Sequence, residues 1–371
     1  MPSKITLQPR AADSFEIDRH VQACPPRSLS LACPQRFKPC IATMSLGHPI
    51  KHSLPTKLRY ASRAGFQGVE IYWDDLISFA ARSLGDASAG SLRGASDFLR
   101  LLCDELGLTV VSLQPFRDFD GLEEGDEKEG RVREFKVWLS CAARLGAGMI
   151  GVPASIARER HDPERVVEDL EMLADLAAQN DPPVTVAYEN LCFSAFNATW
   201  QRAWEAVSRA GRFRGNVGLV LDTFNIAGGI WSDPCRAEGL RPDRRALLER
   251  CLRDMPSAIP RGKVALVQIA DGELVGAVEE GHALYSDSKK GCLKNWSRSC
   301  RLFPLEEGLG AHMPVVEMLK TITGSGGIGY EGWVSMEVFS RSTEGGEGCV
   351  EWHARRAWAS WARLKSVMGW E

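Results

Sequence analysis

Four apolar runs in this chain each deliver one oxygen-bearing side chain: Glu189 in Tyr188-Glu189-Asn190, Asp222 in Leu221-Asp222-Thr223, Gln268 in Val267-Gln268-Ile269 and Glu337 in Ser335-Met336-Glu337. A single carboxylate in such a place commonly caps the next helix or joins an ion pair. Four on successive runs ask for a shared explanation. Three carboxylates meeting in one bowl repel one another and hold on to protons unless a cation neutralises them. Three carboxylates and an amide oxygen, with positions left for water or substrate, form a hard donor set. It suits magnesium or manganese first, with cobalt or zinc behind. An ion held this way acts as a Lewis acid on a substrate oxygen.

For these side chains to meet, the runs that carry them must be neighbouring strands. From Cys40 onward, eight short apolar runs of strand character alternate with longer amphipathic stretches: CIATMSLG, GVEIYW, TVVSLQPF, GMIGVP, VTVAYEN, VGLVLDTF, VALVQIAD and GWVSMEVF. Between them, Ser91 to Leu106, Glu127 to Leu145, Pro163 to Gln179, Thr199 to Arg209, Arg244 to Arg253 and Met313 to Ile322 repeat apolar residues at helical spacing. Gly65, Gly107 and Gly146 fall where left-handed helix ends are expected. Eight strand-helix units with strands apolar on both faces predict an α/β fold, the closed (β/α)8 TIM barrel, with an open doubly wound sheet as the structural alternative. Insertions at Ile230 to Pro260 and Gly272 to His312 lengthen the loops after strands six and seven, where barrel enzymes build their sites. Residues 1–37, rich in proline and without a sustained period, read as an extension; residues 38–371 read as one catalytic domain.

Composition narrows the function classes. The 371 residues are 44% apolar and 25% charged, and 45 basic against 48 acidic residues leave a net charge of -3. That balance argues against a nucleic-acid partner. No apolar run approaches the roughly 18 residues of a membrane span, and no apolar segment follows the early lysine as in a secretory signal, so a cytoplasmic protein with a small-molecule substrate is expected. Eleven scattered cysteines without a CxxC pair read as separate reduced thiols. Gly324 to Gly329 precedes a strand and lacks a P-loop lysine, so it reads as a connector. Trp352, Trp358 and Trp361 are spaced to share one helix face against the barrel wall.

Nine ordered blocks carry a resemblance: ATMSLG (42–47), SLPTKL (53–58), GFQGVEI (65–71), SLQPFRDFDGL (112–122), YENL (188–191), LDTFNIAG (221–228), VQIADGE (267–273), WSRSCRLFP (296–304) and GYEGWVSMEVFSR (329–341). From about Phe37 to Lys365 the chain resembles the fungal 3-dehydroshikimate dehydratases of quinate catabolism, which are xylose-isomerase-like TIM barrels. The resemblance implies a metal-dependent lyase that takes water from 3-dehydroshikimate to give protocatechuate. It places the metal ligands at Glu189, Asp222, Gln268 and Glu337, the four residues already reached from the strand ends. Substrate-binding positions map onto Arg117, Ser297 and Arg301. An arginine, Arg117 or Arg301, clamps the ring carboxylate better than a lysine would.

Many members of the wider superfamily carry a histidine three residues after the sixth-strand aspartate. This chain has Asn225 there, which cannot titrate near neutrality and is expected to orient substrate. For proton transfer the candidate is His282, in the long loop after strand seven, with His52, Glu70 and a metal-bound hydroxide open as alternatives. Residues 121–130, GLEEGDEKEG, are acidic where the family carries a basic, histidine-bearing segment. Two other functions fit parts of the pattern. One is a sugar or hydroxypyruvate-type isomerase or epimerase on the same ligands, and the other is a sensor of shikimate-pathway intermediates without turnover.

Overall fold

The eight apolar runs form strands, and nearly every residue in them is shielded on both faces. The computed structural model describes residues 35–156, 162–276, 278, 281–285 and 287–370. The strands are β1 (Phe37–Ala42), β2 (Gly68–Tyr72), β3 (Thr109–Gln114), β4 (Met149–Pro153), β5 (Thr185–Glu189), β6 (Val217–Asp222), β7 (Val264–Ile269) and β10 (Gly332–Met336). They close into a barrel in the order β1-β10-β7-β6-β5-β4-β3-β2, every neighbouring pair parallel. A small apolar cluster of Cys40, Val111, Ala187, Val220 and Leu266 is separate from the much larger core, in which strands pack against helices. Of the expected extension, residues 1–34 lie outside the described residues. Phe37 already belongs to β1 and stacks on Trp370, with ring centroids 4.4 Å apart.

Crossover helices follow the strands: α1 (Leu54–Ala64), α2 (Trp73–Leu84) and α3 (Ala89–Glu105), α4 (Asp126–Leu145), α5 (Pro163–Ala177), α6 (Trp200–Ala210), the short α7 (Thr223–Ala227) with α8 (Arg244–Ala258), α10 (Val315–Thr323) and α11 (Cys349–Met368). Ser53, Asp162 and Thr199 accept main-chain N–H groups at the starts of α1, α5 and α6. Gly65 ends α1 at φ +115°, and a Cβ there would lie 2.6 Å from Trp358, so both conformation and space require glycine. The acidic 121–130 segment is put to structural use: Asp126, Glu127 and Glu129 occupy the first turn of α4, where they favour the helix dipole. On α11, Trp361 is buried and Trp358 packs edge-on against Phe66, but Trp352 is 48% exposed beneath Arg356. The expected common face therefore holds two tryptophans, because Trp352 and Trp361, nine residues apart, project from opposite sides of the helix while Cys349, Val350 and His353 beside Trp352 are buried.

Two register slips matter for function. Between β2 and β3 the pairing steps from Val69↔Val110 to Glu70↔Ser112, which sets Ser112 beside Glu70. Between β6 and β7 it steps from Leu219↔Val264 to Val220↔Leu266, which brings Asp222 level with Gln268. The two long insertions fold over this end of the barrel. Within the second, β8 (Asp271–Gly272) pairs antiparallel with β9 (Arg301–Leu302), and α9 (Lys289–Ser299) lies between them. Asp271 Oδ1 accepts the main-chain N–H groups of Gly272, His312 and Met313, while the His312 ring bridges Gly272 O and Ser232 Oγ, tying the insertions to each other. Among the described residues no helix is long and apolar enough to cross a membrane.

Candidate metal centre and active site

The barrel brings the four strand-borne oxygens together. One carboxylate oxygen from each of Glu189, Asp222 and Glu337 lies within 4.8 Å of the others, and all three residues are buried. Gln268 joins them. Its Nε2 donates to both oxygens of Glu70, at 3.1 and 3.2 Å, and to Glu337 Oε1 at 3.4 Å. Its Oε1 is left buried without a hydrogen-bond partner. A buried amide oxygen without a donor is costly.

Neighbouring side chains fix each carboxylate. Asn225 Nδ2 donates to Glu189 Oε1 and to Asp222 Oδ2, both at 2.7 Å. Gln114 Nε2 donates to Glu337 Oε1 at 2.9 Å. Arg301, itself buried, donates from Nη1 to Asp222 Oδ2 and Glu337 Oε2, each at 2.9 Å, and from Nη2 to Ser297 Oγ at 3.2 Å. Three carboxylates against one guanidinium leave two negative charges in a dry place. Burial, then the charges of Glu337 and Asp222, push Glu189 well above the ordinary carboxylate range. Burial also lifts Asp222 to about 6 despite Arg301. Burial works against the charge of Arg301, but Asp222, Glu337 and Glu189 outweigh it. A divalent cation would cancel the surplus charge and give Gln268 Oε1 a partner, so the donor set fits a hard divalent ion.

The other residues singled out in the sequence fall into three groups. Asn225 and Ser297 reach the centre, where their hydrogen bonds are spent on Glu189, Asp222 and the Cys192 N–H, and on Arg301. Arg117 is half-buried nearby and donates to the Tyr72 hydroxyl at 2.6 Å. His282 is not brought to the centre. It is exposed, and its Nδ1 accepts the Leu284 N–H two residues on, because the loop turns back on itself there. His52 is likewise occupied locally, its Nδ1 accepting the His48 N–H at 3.0 Å. Glu70 lies next to the ligands and accepts Ser112 Oγ at 2.6 Å as well as Gln268; burial, then the Glu337 charge, raise it to about 7. Sequence reasoning missed Gln114 as part of the site. An acid inside the apolar run GVEIY was the available signal for Glu70's tie to Gln268.

These raised carboxylates give a pH dependence with a definite sign. Unfolded carboxyls bind protons only below about 4.5, whereas folded Glu70 and Asp222 keep theirs to about 7 and about 6. Between those limits the folded state holds more protons, so stability falls as pH rises. In EDTA the midpoint of denaturant unfolding is expected to drop between pH 5 and pH 8, Glu70 contributing on the order of 2 kcal/mol and Asp222, whose loss begins below pH 5, on the order of 1 kcal/mol. A midpoint independent of pH over that window would refute the buried, proton-holding state of these two acids.

The chain belongs to the xylose isomerase-like TIM barrel family, whose model matches residues 58–361. The 3-dehydroshikimate dehydratase of Neurospora crassa is 36% identical over 340 residues, which cover 88% of this chain and 93% of that protein. The 3-dehydroshikimate dehydratase of Pseudomonas aeruginosa is 30% identical over 81% of this chain, which spans 38% of the longer bacterial protein. Among solved structures, a xylose isomerase-like TIM barrel/4-hydroxyphenylpyruvate dioxygenase fusion protein shares the fold. Its TM-score is 0.66 at 24% identity, over 90% of this chain and 43% of that one.

Proposed function

We propose that this protein is a 3-dehydroshikimate dehydratase, a hydro-lyase that removes water from 3-dehydroshikimate to give protocatechuate, with a divalent ion held by Glu189, Asp222, Gln268 and Glu337. The observation that carries the reading is the convergence of those four side chains, with Gln268 Oε1 buried and unpartnered, in a chain 36% identical to a fungal dehydratase over almost its whole length. Magnesium or manganese suits the oxygen donors best.

The substrate carries a ring carboxylate, a C3 ketone and hydroxyls at C4 and C5. Loss of the C4 proton makes an enolate, loss of the C5 hydroxyl as water follows, and aromatisation drives the reaction forward. A divalent ion supplies the positive charge that stabilises the enolate oxygen. The chain's own residues supply order. Asn225, Gln114 and Arg301 hold the carboxylates in one arrangement, and Glu70 takes the Gln268 amide N–H groups, which leaves the amide oxygen without a partner. His282 is exposed and tied into its own loop, its Nδ1 accepting the Leu284 N–H. Transfer of the C4 proton to the departing C5 hydroxyl completes the water molecule.

The test is direct. Protein supplied with magnesium or manganese is expected to produce the absorbance of protocatechuate from 3-dehydroshikimate, and EDTA is expected to stop it. Absence of aromatic product with either ion present eliminates the dehydratase reading.

A further inference from the structure

Arg298 lies close enough to Arg117 and Arg301 to feel the charge of each, and those two guanidinium groups are committed. Arg301 spends Nη1 on Asp222 and Glu337 and Nη2 on Ser297. One buried donor, Nε, is left without a partner. A single N–H suits a neutral hydroxyl or ketone oxygen. Arg117 donates to the Tyr72 hydroxyl, lies 5.5 Å from that ring, and through the hydroxyl is linked to Asp74.

Arg298, in the last turn of α9, is different. It is half-buried, and among the described residues no carboxylate lies within ion-pairing distance and no hydrogen bond engages its guanidinium. The group sits over the face of Phe339 at 4.4 Å, and Arg301 lies 5.3 Å from the same ring. Phe339 in turn meets Tyr72 edge-on at 6.2 Å. Arg298 and Phe339 line a cavity of about 670 Å³, together with Met44, Tyr72, Asp74 and Ile77. The other arginine of its lining has an acid: Arg341 pairs with Glu273 at 2.6 Å. A partly buried guanidinium beside two like charges and without an acid is unfavourable until an anion arrives. Its planar fork matches a carboxylate through two parallel hydrogen bonds.

We infer that Arg298 is the residue that recognises the substrate's ring carboxylate, with the face of Phe339 beside it, while Arg301 serves the metal-binding carboxylates. The inference rests on the dehydratase reading for the identity of the substrate, and it moves the carboxylate contact from Arg117 or Arg301 to a residue between them in the cluster. Specificity follows. A neutral sugar offers Arg298 nothing, whereas a ring acid relieves its isolation.

The experiment is calorimetric titration of the manganese-loaded protein with protocatechuate and with catechol, which differ by the carboxylate. The wild type is expected to bind protocatechuate at least about tenfold tighter, the size of one charge-assisted contact. In Arg298→Gln that preference is expected to shrink to within about twofold while catechol affinity holds, and Arg298→Lys is expected to recover part of it. For turnover, KM rises in Arg298→Gln far more than kcat falls. A preference retained in Arg298→Gln overturns the assignment, as does equal loss of both ligands or loss of the preference in Arg117→Gln alone. A wild type that makes no protocatechuate sinks the dehydratase reading separately, and the ratio of the two affinities still decides the role of Arg298.

Discussion

Glu337→Gln is expected to form protocatechuate at least about a thousandfold more slowly than the wild type. The substitution keeps the shape of the side chain and removes its charge. Two further consequences make it more severe than its size suggests. Glu337 Oε1 accepts from Gln114 and Gln268, and Oε2 accepts from Arg301, so both oxygens now face donors. A carboxamide must turn its own NH2 toward one of those sets, which breaks the hydrogen bonds that fix Gln268 and Arg301. An ion that stabilises developing negative charge contributes several kcal/mol, and about 1.4 kcal/mol is a factor of ten in rate. Three orders of magnitude is therefore the expected scale. Glu189→Ala is expected to fall as far. The aromatic-product assay checks both, and activity near wild type in either variant would refute the ligand set.

Arg301→Met has a different signature, because its largest effect is on the protein without an ion. Arg301 is the cation hydrogen-bonded to Asp222 and Glu337, and it is buried with them. Removing one partner of a buried ion pair leaves uncompensated charge and costs about 3–5 kcal/mol. In EDTA the variant is expected to unfold at clearly lower denaturant than the wild type. Saturating manganese is expected to return part of the difference, since the ion supplies positive charge to the same carboxylates and stabilises by its preference for the folded state. The two unfolding curves, with and without manganese, decide the matter. A loss of equal size in both conditions would show that Arg301 acts only through packing on Phe224 and Phe339, whose rings it overlies at 4.4 and 5.3 Å.

The barrel was legible because parallel strands buried on both faces leave nearly continuous apolar runs, and each of the eight runs became a strand. The strand ends then exposed Glu189, Asp222, Gln268 and Glu337, since a polar residue in or at the end of such a run has few places to go but the mouth of the barrel. What the sequence hid is set by contacts across the chain. The slips that align Ser112 with Glu70 and Asp222 with Gln268 depend on neighbouring strands, and no single strand's pattern records them. Asn225 stands out in the sequence because it occupies the place, three residues after Asp222, where many relatives carry a histidine. The structure turns that side chain inward, onto Glu189 and Asp222. His282 was attractive for its chemistry alone, and a histidine in a long loop has no periodicity to position it. Arg298 was passed over inside WSRSCRLFP because its neighbours Ser297 and Arg301 matched the family; only the geometry shows which arginine lacks an acid.

The Asp271 and His312 ties have an evolutionary consequence. They assemble a roof from two insertions that fold on themselves, over a floor whose acids belong to the strands. Roof and floor meet through Arg301, which reaches from the second insertion onto Asp222 and Glu337. Mutations elsewhere in the insertions can retune which molecule is admitted while that one contact keeps the machinery that handles its charge in place, a route by which one ancestral barrel diversifies across many small metabolites.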